Sequence, residues 1–244
     1  EGRSLASVRA GVDVTITREP LGVVGIICPW NFPIAIPAWK VAPALAYGNT
    51  VVLKPADLVP ASSWALVEIL SRAGLPKGVL NLVMGRGSIV GQTLLESRGV
   101  NAISFTGSVE TGAKVAMACS ARGAKYQLEM GGKNPLIVLD DANVDAAVAA
   151  SIDGAFYQTG QRCTASSRLI VHSKVHDSYV EKMVNAMKAL KVDHALKDGT
   201  QIGPVIDEAQ MTQDEKYIGI GRDEGGALAW GGERLNRDTK GHFL

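Results

Sequence analysis

Short apolar runs alternate with longer amphipathic segments along the chain from residue 20 onward. The apolar runs are rich in β-branched residues, which favours strands, and a glycine stands shortly after each amphipathic segment, as is typical where a helix ends. This rhythm predicts parallel strands that are joined by helices. The predicted strands are Val23–Cys28, Thr50–Leu53, Val79–Val83, Ala102–Phe105 and Lys125–Leu128, and the predicted helices are Ile34–Tyr47, Ala61–Arg72, Ser88–Glu96 and Val109–Ala121.

Five such strands predict an α/β fold with a doubly wound, mostly parallel sheet of the Rossmann type, which binds ligands at the carboxyl ends of its strands. The pair Gly131-Gly132 marks the start of a second α/β region. Before residue 20, Val12–Thr17 alternates apolar and polar side chains and predicts a half-exposed strand in an N-terminal arm that pairs with another element. The second region is predicted to contain the strands Pro135–Leu139, Leu169–His172 and Ala227–Trp230 and the helices Asp141–Tyr157, His176–Leu190 and Asp207–Glu224.

The composition excludes several classes of protein. With 46% hydrophobic and 20% charged residues and a formal net charge of +1, the chain of 244 residues has an ordinary globular composition without the basic surface of a nucleic-acid-binding protein. Its longest apolar stretches, such as Leu21–Pro29, are too short to cross a bilayer, so we expect no membrane association. Cys28, Cys119 and Cys163 have neither metal-ligand nor disulfide spacing, which predicts no metal site and a reducing, cytoplasmic location.

Four segments place polar, reactive or glycine residues just after a predicted strand, where a doubly wound fold has its binding site. Each segment alone also has a structural explanation: Lys54 as a surface lysine, Asn31 as a turn residue between prolines, and Glu129 as a salt-bridged acid. Four such segments at one edge of the sheet predict a functional site. They are Pro29–Pro33, Lys54–Asp57, Phe105–Ser108 and Glu129–Lys133.

Two glycine-containing turns are candidates for phosphate binding. Gly107 and Ser108 precede the predicted helix Val109–Ala121, whose free N–H groups and positive dipole end suit an anion. The alternative is a serine that only caps the helix. A second cluster, Gly85–Gly91, misses the dinucleotide fingerprint because its last gap is too long, so by itself it predicts only a glycine-rich turn.

Cys163 differs from the other two cysteines in its surroundings. Cys28 lies in an apolar strand and Cys119 in an alanine-rich helix, where cysteine is usually a small buried hydrophobe. Cys163 lies in a polar, glycine-containing turn next to Arg162, and an adjacent cation favours a thiolate. Local sequence therefore leaves a reactive and an inert thiol both open.

Together and in this order, five segments resemble the aldehyde dehydrogenase superfamily, and the resemblance extends through the whole chain. Full-length members of that family are longer. Because the chain does not begin with methionine and stops at Gly241–Leu244 as a strand begins, we interpret it as an internal segment that lacks an N-terminal stretch and the C-terminal part of the catalytic domain. The five segments are Pro29–Pro33, Lys54–Ala56, Phe105–Ser108, Glu129–Pro135 and Gly160–Cys163.

The resemblance implies NAD(P)-dependent oxidation of an aldehyde to a carboxylate. Cys163 would be the nucleophile, the Asn31 amide and the Cys163 N–H would hold the oxyanion, and Glu129 would activate the hydrolytic water. Because Asp57 stands where many members carry a glutamate, the choice between NAD and NADP is open. The implied cofactor contacts are Ile27, Pro29, Trp30, Lys54, Ala56, Asp57, Gly87, Gly91, Phe105, Thr106, Gly107, Ser108, Gly112, Met130 and Gly131.

The resemblance also assigns roles to the three parts of the chain. Residues 1–19 would be an oligomerisation arm, residues 20–130 the NAD(P)-binding domain, and residues 131–244 a catalytic domain that is incomplete at its C-terminus. Such an arm implies a homodimer or a homotetramer. The expected ligands are the cofactor and a small-molecule aldehyde.

Within the family, the similarity points to members that oxidise 2,5-dioxopentanoate (α-ketoglutaric semialdehyde), and succinate-semialdehyde oxidisers look similar. Arg162, next to the nucleophile, suits an anionic aldehyde unless it is a structural arginine. One alternative is a CoA-acylating aldehyde dehydrogenase, which Glu129 argues against because that chemistry needs no water-activating base. The other is a nucleotide-binding module without turnover.

Overall fold

A computed structural model describes residues 2–244, so the first residue of the predicted arm lies outside the described residues. The chain divides into two compact units, of which the first ends at Gly131 and the second begins at Gly132. None of the helices formed by residues 2–244 is long and apolar enough to cross a membrane.

The N-terminal part of the first unit is an antiparallel hairpin. Strand β1 (Arg3–Ala6) pairs with β2 (Asp13–Ile16), and Gly11 lies in the turn between them with a φ of 74°. The predicted strand is therefore present, and its partner is a strand that the prediction did not include. Every residue of both strands is exposed.

The first unit contains the predicted parallel sheet with helices between its strands. Its strand order is β5-β4-β3-β6-β7, so the chain adds strands to one side of β3 and then crosses to the other side. This confirms the predicted α/β fold class. The strands are β3 (Val23–Ile27), β4 (Thr50–Lys54), β5 (Leu80–Leu82), β6 (Ala102–Gly107) and β7 (Lys125–Met130), and the helices are α1 (Ala35–Ala46), α2 (Pro60–Arg72), α3 (Gln92–Glu96) and α4 (Val109–Ala121).

The sheet has helices on both faces, and alternate side chains of its strands enter two different cores. On one face Val24 and Ile26 of β3 pack with Val41 of α1, and Ile26 is completely buried. On the other face Ile103 of β6 packs with Val115 of α4. Because both faces of the central strand β3 are covered, polar chemistry at this strand is confined to its ends.

Three elements of the first unit differ from the prediction by more than one residue at an end or in helix type. Strand β6 continues to Gly107 and β7 to Met130, because the two strands pair in register as far as these residues. Thr106, Gly107 and Glu129 therefore lie inside strands rather than after them. The predicted helix Ser88–Glu96 is a π-helical turn at Gly87–Gly91 followed by the short helix α3.

The second unit has a smaller α/β core. Strands β8 (Asn134–Val138) and β9 (Ser166–Val171) are parallel. Val138 packs with Ile152 and with Tyr179, whose hydroxyl donates to the Ser151 Oγ at 2.6 Å. Helix α5 and a 3-10 turn connect the two strands. The remaining elements are α5 (Val144–Phe156), the 3-10 turn (Tyr157–Gly160), α6 (Ser173–Lys188) and α7 (Glu208–Asp223).

The predicted strand Ala227–Trp230 is wrong, because these residues have no regular structure. Gly225 precedes the segment and Gly231 follows it, with φ values of 90° and 72° that change the direction of the chain at both ends. The Trp230 ring instead lies under the Lys188 ammonium, which is 4.7 Å from the ring centroid.

Candidate active site

The carboxyl edge of the first unit's sheet brings together most of the predicted cofactor contacts. The strand order reverses between β3 and β6, and doubly wound sheets bind ligands at this switch point. Residues that are far apart in sequence become neighbours there through strand register. The register pairs are Ile27 with Lys54 and Phe105, Thr106 with Glu129, and Gly107 with Met130.

Lys54 is buried at the end of β4, with only 3% of its surface exposed, so the surface-lysine interpretation is wrong. Its Nζ donates to the Pro55 carbonyl oxygen at 2.7 Å and lies 3.6 Å from the Asp57 Oδ1. Ala56 is buried between these two residues and the Asp57 side chain is 56% exposed. The hydrogen-bonded ammonium of Lys54 and the accessible carboxylate of Asp57 thus lie next to each other.

Ser108 caps helix α4, because its Oγ accepts a hydrogen bond from the Thr111 N–H at 3.2 Å. The cap fixes the start of the helix but leaves first-turn N–H groups pointing outward along the axis. Glu110 in that turn forms an exposed ion pair with Lys114, and this contact holds the pKa of the Glu110 carboxyl below its usual value. Both interpretations of Ser108, as a cap and as an anion-binding residue, fit this geometry.

The predicted cofactor glycines fall into two groups. A Cβ on Gly107 would lie 2.5 Å from the Phe105 ring, and one on Gly112 would overlap the Met130 sulfur, so packing explains both. A Cβ on Gly87, Gly91 or Gly131 would meet nothing within 4 Å. The last three therefore leave space beside the backbone at this edge of the sheet. Open glycines, the Lys54 ammonium and the α4 N-terminus together fit a dinucleotide.

The loop between β3 and α1 contains Pro29, Trp30 and Asn31, and all three are half-buried. The loop starts at the end of the central strand, so it lies at the same sheet edge as Lys54 and Thr106. An amide side chain in this position can donate a hydrogen bond without the desolvation cost of a buried charge.

A polar network that the sequence analysis missed leads to Glu129. The Lys40 Nζ donates to the Ser104 Oγ at 2.8 Å and to the Gln127 Oε1 at 2.9 Å. The Gln127 Nε2 in turn donates to the Glu129 Oε1 at 2.7 Å. Because an ammonium has no acceptor, the Gln127 oxygen must face Lys40 and its nitrogen must face Glu129. Glu129 therefore has a fixed hydrogen-bond donor on its own strand, and the salt-bridge interpretation is not needed.

Burial lowers the pKa of Lys40 below its usual value, and the neighbouring Cys28 and Glu129 oppose that shift. A signal for this network was present in the sequence. Ser104 is a polar residue within the otherwise apolar segment Ala102–Phe105, and a polar side chain in such a segment needs a partner. The identity of the partner depends on the fold.

Cys163 belongs to the second unit, in what we call the Cys163 loop, residues 161–165, between the 3-10 turn and β9. The preceding residues Gln158 and Thr159 have φ values of 57° and 54°, the only positive values of non-glycine residues among residues 2–244. Left-handed backbone is unfavourable for a β-branched residue such as threonine. Strain of this kind clusters at functional sites, where surrounding contacts maintain it.

Arg162 holds the Cys163 loop against the end of helix α5. Its NH2 group donates to the carbonyl oxygens of Asp153 and Gly154 at 2.5 and 3.0 Å. These carbonyls belong to the last turn of α5, where a cation is favourable. The contacts favour the structural interpretation of Arg162 over recognition of an anionic aldehyde.

The three cysteines differ as the sequence predicts. Cys28 and Cys119 are buried and Cys163 is exposed. Burial raises the pKa of the Cys28 thiol to about 12 and also raises that of Cys119. Within residues 2–244, no group of three His, Cys, Asp or Glu side chains is placed to hold a metal ion.

Comparison with known proteins gives consistent matches along the chain. The sequence model of the aldehyde dehydrogenase family matches residues 1–244. The α-ketoglutaric semialdehyde dehydrogenase of Bacillus subtilis (strain 168) is 52% identical over 219 residues, which are 90% of this chain and 45% of that protein. The 2,5-dioxopentanoate dehydrogenase of Saccharolobus solfataricus is 43% identical over 100% of this chain and 51% of its own. A betaine aldehyde dehydrogenase of Bacillus subtilis is 42% identical over 96% of this chain and 48% of its own.

The chain therefore spans about half the length of the curated relatives it matches. Solved structures give the same result. The NAD+ complex of an aldehyde dehydrogenase from Bacillus cereus has a TM-score of 0.94 at 35% identity and covers 100% of this chain and 49% of that one. An NADP-dependent enzyme from E. coli has a TM-score of 0.94 at 38% identity, over 100% and 50% of the two chains.

We expect iodoacetamide to alkylate Cys163 alone in the folded protein near pH 8. Cys28 and Cys119 are buried, and their raised pKa keeps both as neutral thiols, which are poor nucleophiles. Peptide mass spectrometry after a timed reaction measures the modification of each cysteine. The same reaction in guanidinium chloride is the control and should modify all three, whereas equal modification of Cys28 in the folded protein would contradict the expectation.

Proposed function

This chain belongs to the aldehyde dehydrogenase family, as predicted, and from that premise we propose that its full-length form oxidises an aldehyde to a carboxylate with NAD or NADP. The observation that carries the proposal is the exposed Cys163 thiol in a constrained loop, while the other two thiols are buried. A reaction through a cysteine needs an accessible thiol, a donor for the oxyanion and a base for hydrolysis.

In the proposed reaction, the Cys163 thiolate adds to the aldehyde carbon and forms a C–S bond and an oxyanion. The Asn31 side-chain amide and the Cys163 N–H donate hydrogen bonds to that oxygen. As the oxyanion collapses, the C–H bond of the former aldehyde carbon breaks and a thioester forms on Cys163; the oxidised nicotinamide would supply the hydride acceptor when it is bound. Glu129 takes a proton from the water that attacks the resulting thioester, the C–S bond breaks, and the carboxylate leaves the regenerated thiolate.

The cofactor would be held along the carboxyl edge of the first unit's sheet. Lys54 and Asp57 would contact a ribose, and Ser108 with the α4 N-terminus would contact the pyrophosphate. Gly87 and Gly91 would lie along the adenosine side, where the backbone leaves open space. Ile27, Pro29, Trp30 and the residues around Thr106 and Met130 would complete the site. Residues 20–130 thus form the proposed cofactor domain and residues 131–244 part of the catalytic domain.

The proposed assembly is a homodimer or homotetramer formed through the β1–β2 hairpin. Support comes from the hairpin's apolar side chains, of which Leu5, Val14 and Ile16 are all exposed. The proposed location is the cytoplasm, because Cys28, Cys119 and Cys163 are all free thiols, which a reducing compartment maintains.

Replacing Cys163 by Ser in the full-length protein should lower the rate of NAD(P)H formation at least about 10³-fold, because the nucleophile is lost. Glu129→Gln should instead give a burst of about one NAD(P)H per active site, followed by turnover slower by about 10²–10⁴-fold, because only hydrolysis needs the base. Stopped-flow absorbance measures both phases. Cys119→Ser and Glu68→Gln are matched controls that should leave the rate unchanged; full activity of Cys163→Ser would contradict the mechanism.

The proposed substrate is an ω-carboxylated semialdehyde such as 2,5-dioxopentanoate, which two similar relatives are named for. Steady-state kinetics with 2,5-dioxopentanoate, succinate semialdehyde, betaine aldehyde and propanal, each with NAD and NADP, should give the highest kcat/KM for a carboxylated aldehyde, by about tenfold or more. One favourable charged contact is enough for a tenfold preference.

Other outcomes of this panel identify the alternatives. The name of a third relative suggests betaine aldehyde as an alternative substrate. A preference of the enzyme for betaine aldehyde would contradict the proposed substrate. Acyl-CoA as the product when CoA is added would identify a CoA-acylating enzyme. If the full-length protein bound the cofactor but formed no NAD(P)H from any aldehyde, the result would identify a nucleotide-binding module without turnover.

Arg162→Ala should lower kcat/KM for carboxylated and neutral aldehydes by the same factor. The variant leaves two carbonyl groups of α5 without their donor, which costs about 1–3 kcal/mol of folding free energy but removes no substrate contact. Thermal unfolding and the kinetics above measure the two effects, and Arg72→Ala, at an exposed ion pair, is the control. A loss confined to carboxylated aldehydes would instead assign Arg162 to substrate recognition.

A further inference from the structure

The two peptide groups on either side of Cys163 are both held by hydrogen bonds. The Arg162 carbonyl oxygen, in the preceding peptide, accepts from the Ala165 N–H at 3.2 Å. The Cys163 carbonyl oxygen, in the following peptide, accepts from the Asn134 side chain at 2.7 Å. Holding both peptides fixes the two backbone dihedrals of Cys163 and therefore the direction of its Cα–Cβ bond.

Asn134 makes the second of these contacts with a single amide nitrogen. Its Nδ2 donates to the Cys163 carbonyl oxygen and also to the Ala165 carbonyl oxygen, the latter at 3.1 Å. Both partners are acceptors only, so the nitrogen and not the oxygen of the amide must face the loop. One side chain thus uses both of its N–H groups to hold two carbonyls of the Cys163 loop.

An irregularity in the strand pairing explains why a side chain makes these contacts. Asn134 pairs with Ser166, but the next residue, Pro135, pairs with Arg168, so Ser167 is an extra residue in β9. Proline has no N–H to donate to a neighbouring strand, and such a bulge redirects the adjacent side chains.

The redirected side chains link the two segments where regular pairing is interrupted. Arg168 donates from Nε and NH2 to the Lys133 carbonyl oxygen at 3.0 and 2.7 Å. Asn134 donates in the opposite direction, from the start of β8 to the Cys163 loop. These two side chains therefore hold the Cys163 loop and the start of β9 to residues 133 and 134.

We propose that Asn134 is a positioning residue for Cys163, whose amide sets the orientation of the Cys163–Thr164 peptide and thereby the direction in which the thiol points. The inference rests on the proposed function, in which Cys163 is the nucleophile. Asn134 touches neither substrate nor cofactor in this role. Without its amide, the carbonyl of Cys163 can rotate, and the sulfur leaves the geometry that attack on a carbonyl requires. A misplacement of about 1 Å can cost about 10²-fold in rate.

The test uses Asn134→Ala and Asn134→Asp in the full-length enzyme. Aspartate keeps the shape of asparagine but cannot donate when ionised. Both variants should lower kcat for aldehyde oxidation by about 10- to 100-fold with KM within about threefold, because positioning affects the reaction step more than binding. The rate at which iodoacetamide alkylates Cys163 should stay within about threefold of the rate in the unmodified protein, because this reaction requires only an exposed thiol.

Asn81 provides a matched control. Its Nδ2 also donates to two backbone carbonyls, those of Gly78 and Val51, at 2.8 and 3.3 Å, but in the first unit at β5. Asn81→Ala and Asn81→Asp should lower the thermal unfolding temperature by a similar amount and leave kcat within about twofold. The proposal would be overturned by an unchanged kcat in both Asn134 variants, or by a loss of kcat in the Asn81 variants as large as that in the Asn134 variants. It would also be overturned if the Asn134 variants lost iodoacetamide reactivity by the same factor as kcat.

A cofactor-free reaction separates this inference from the proposed function. 4-Nitrophenyl acetate can acylate the Cys163 thiolate, which forms a thioester and releases 4-nitrophenolate, whose absorbance measures the rate. The Asn134 variants should slow this acylation by about tenfold or more relative to the unmodified protein. Absence of NAD(P)H formation by the unmodified enzyme would contradict the proposed function, whereas equal acylation rates in the variants and the unmodified enzyme would contradict the role of Asn134.

Discussion

The burial of strand β3 on both faces is the constraint on which the first unit depends. Ile26 is completely buried and Val24 nearly so, and β4 and β6 occupy the two edges of the strand. A polar side chain in the middle of β3 would lose its water without gaining a partner, so polar groups on this strand are favourable only where it ends. The order of the sheet then decides which ends meet. Because β4 and β6 lie on opposite sides of β3, Lys54 and Phe105 become neighbours of Ile27 at one edge.

Elements whose ends depend on local chemistry were predicted best. Helix α4 begins and ends where the sequence predicts, because Ser108 caps its first turn and Gly123, with a φ of 71°, follows its end. Strands β6 and β7 each run two residues further than predicted, since their ends depend on pairing with each other. Ala227–Trp230 is an apolar run but pairs with no strand among the described residues. Pairing is a property of two distant segments, and the pattern of one segment does not contain it.

The candidate site was predictable in position but not in contacts. Sequence pattern placed Lys54, Thr106 and Glu129 near strand ends because strands have a readable period, and the sheet then aligned those ends. The hydrogen bonds of Lys40 join residues 64 and 87 positions away, on two other elements, which no local pattern specifies. Arg162 is the opposite case. Its charge suggested a ligand, whereas its partners are backbone carbonyls only 8 and 9 residues away at the end of a helix.

The hydrogen bonds that hold the Cys163 loop through Arg162 and Asn134 all end on backbone carbonyl oxygens. Every residue type has a carbonyl group, so these contacts do not depend on which side chains Asp153 and Ala165 provide. The position of the thiol is therefore uncoupled from the identity of most side chains around it. In evolutionary terms, neighbouring positions can accept substitutions that alter the surface near the thiol while its geometry is inherited unchanged. A loop built in this way allows specificity to diversify within one lineage by single substitutions.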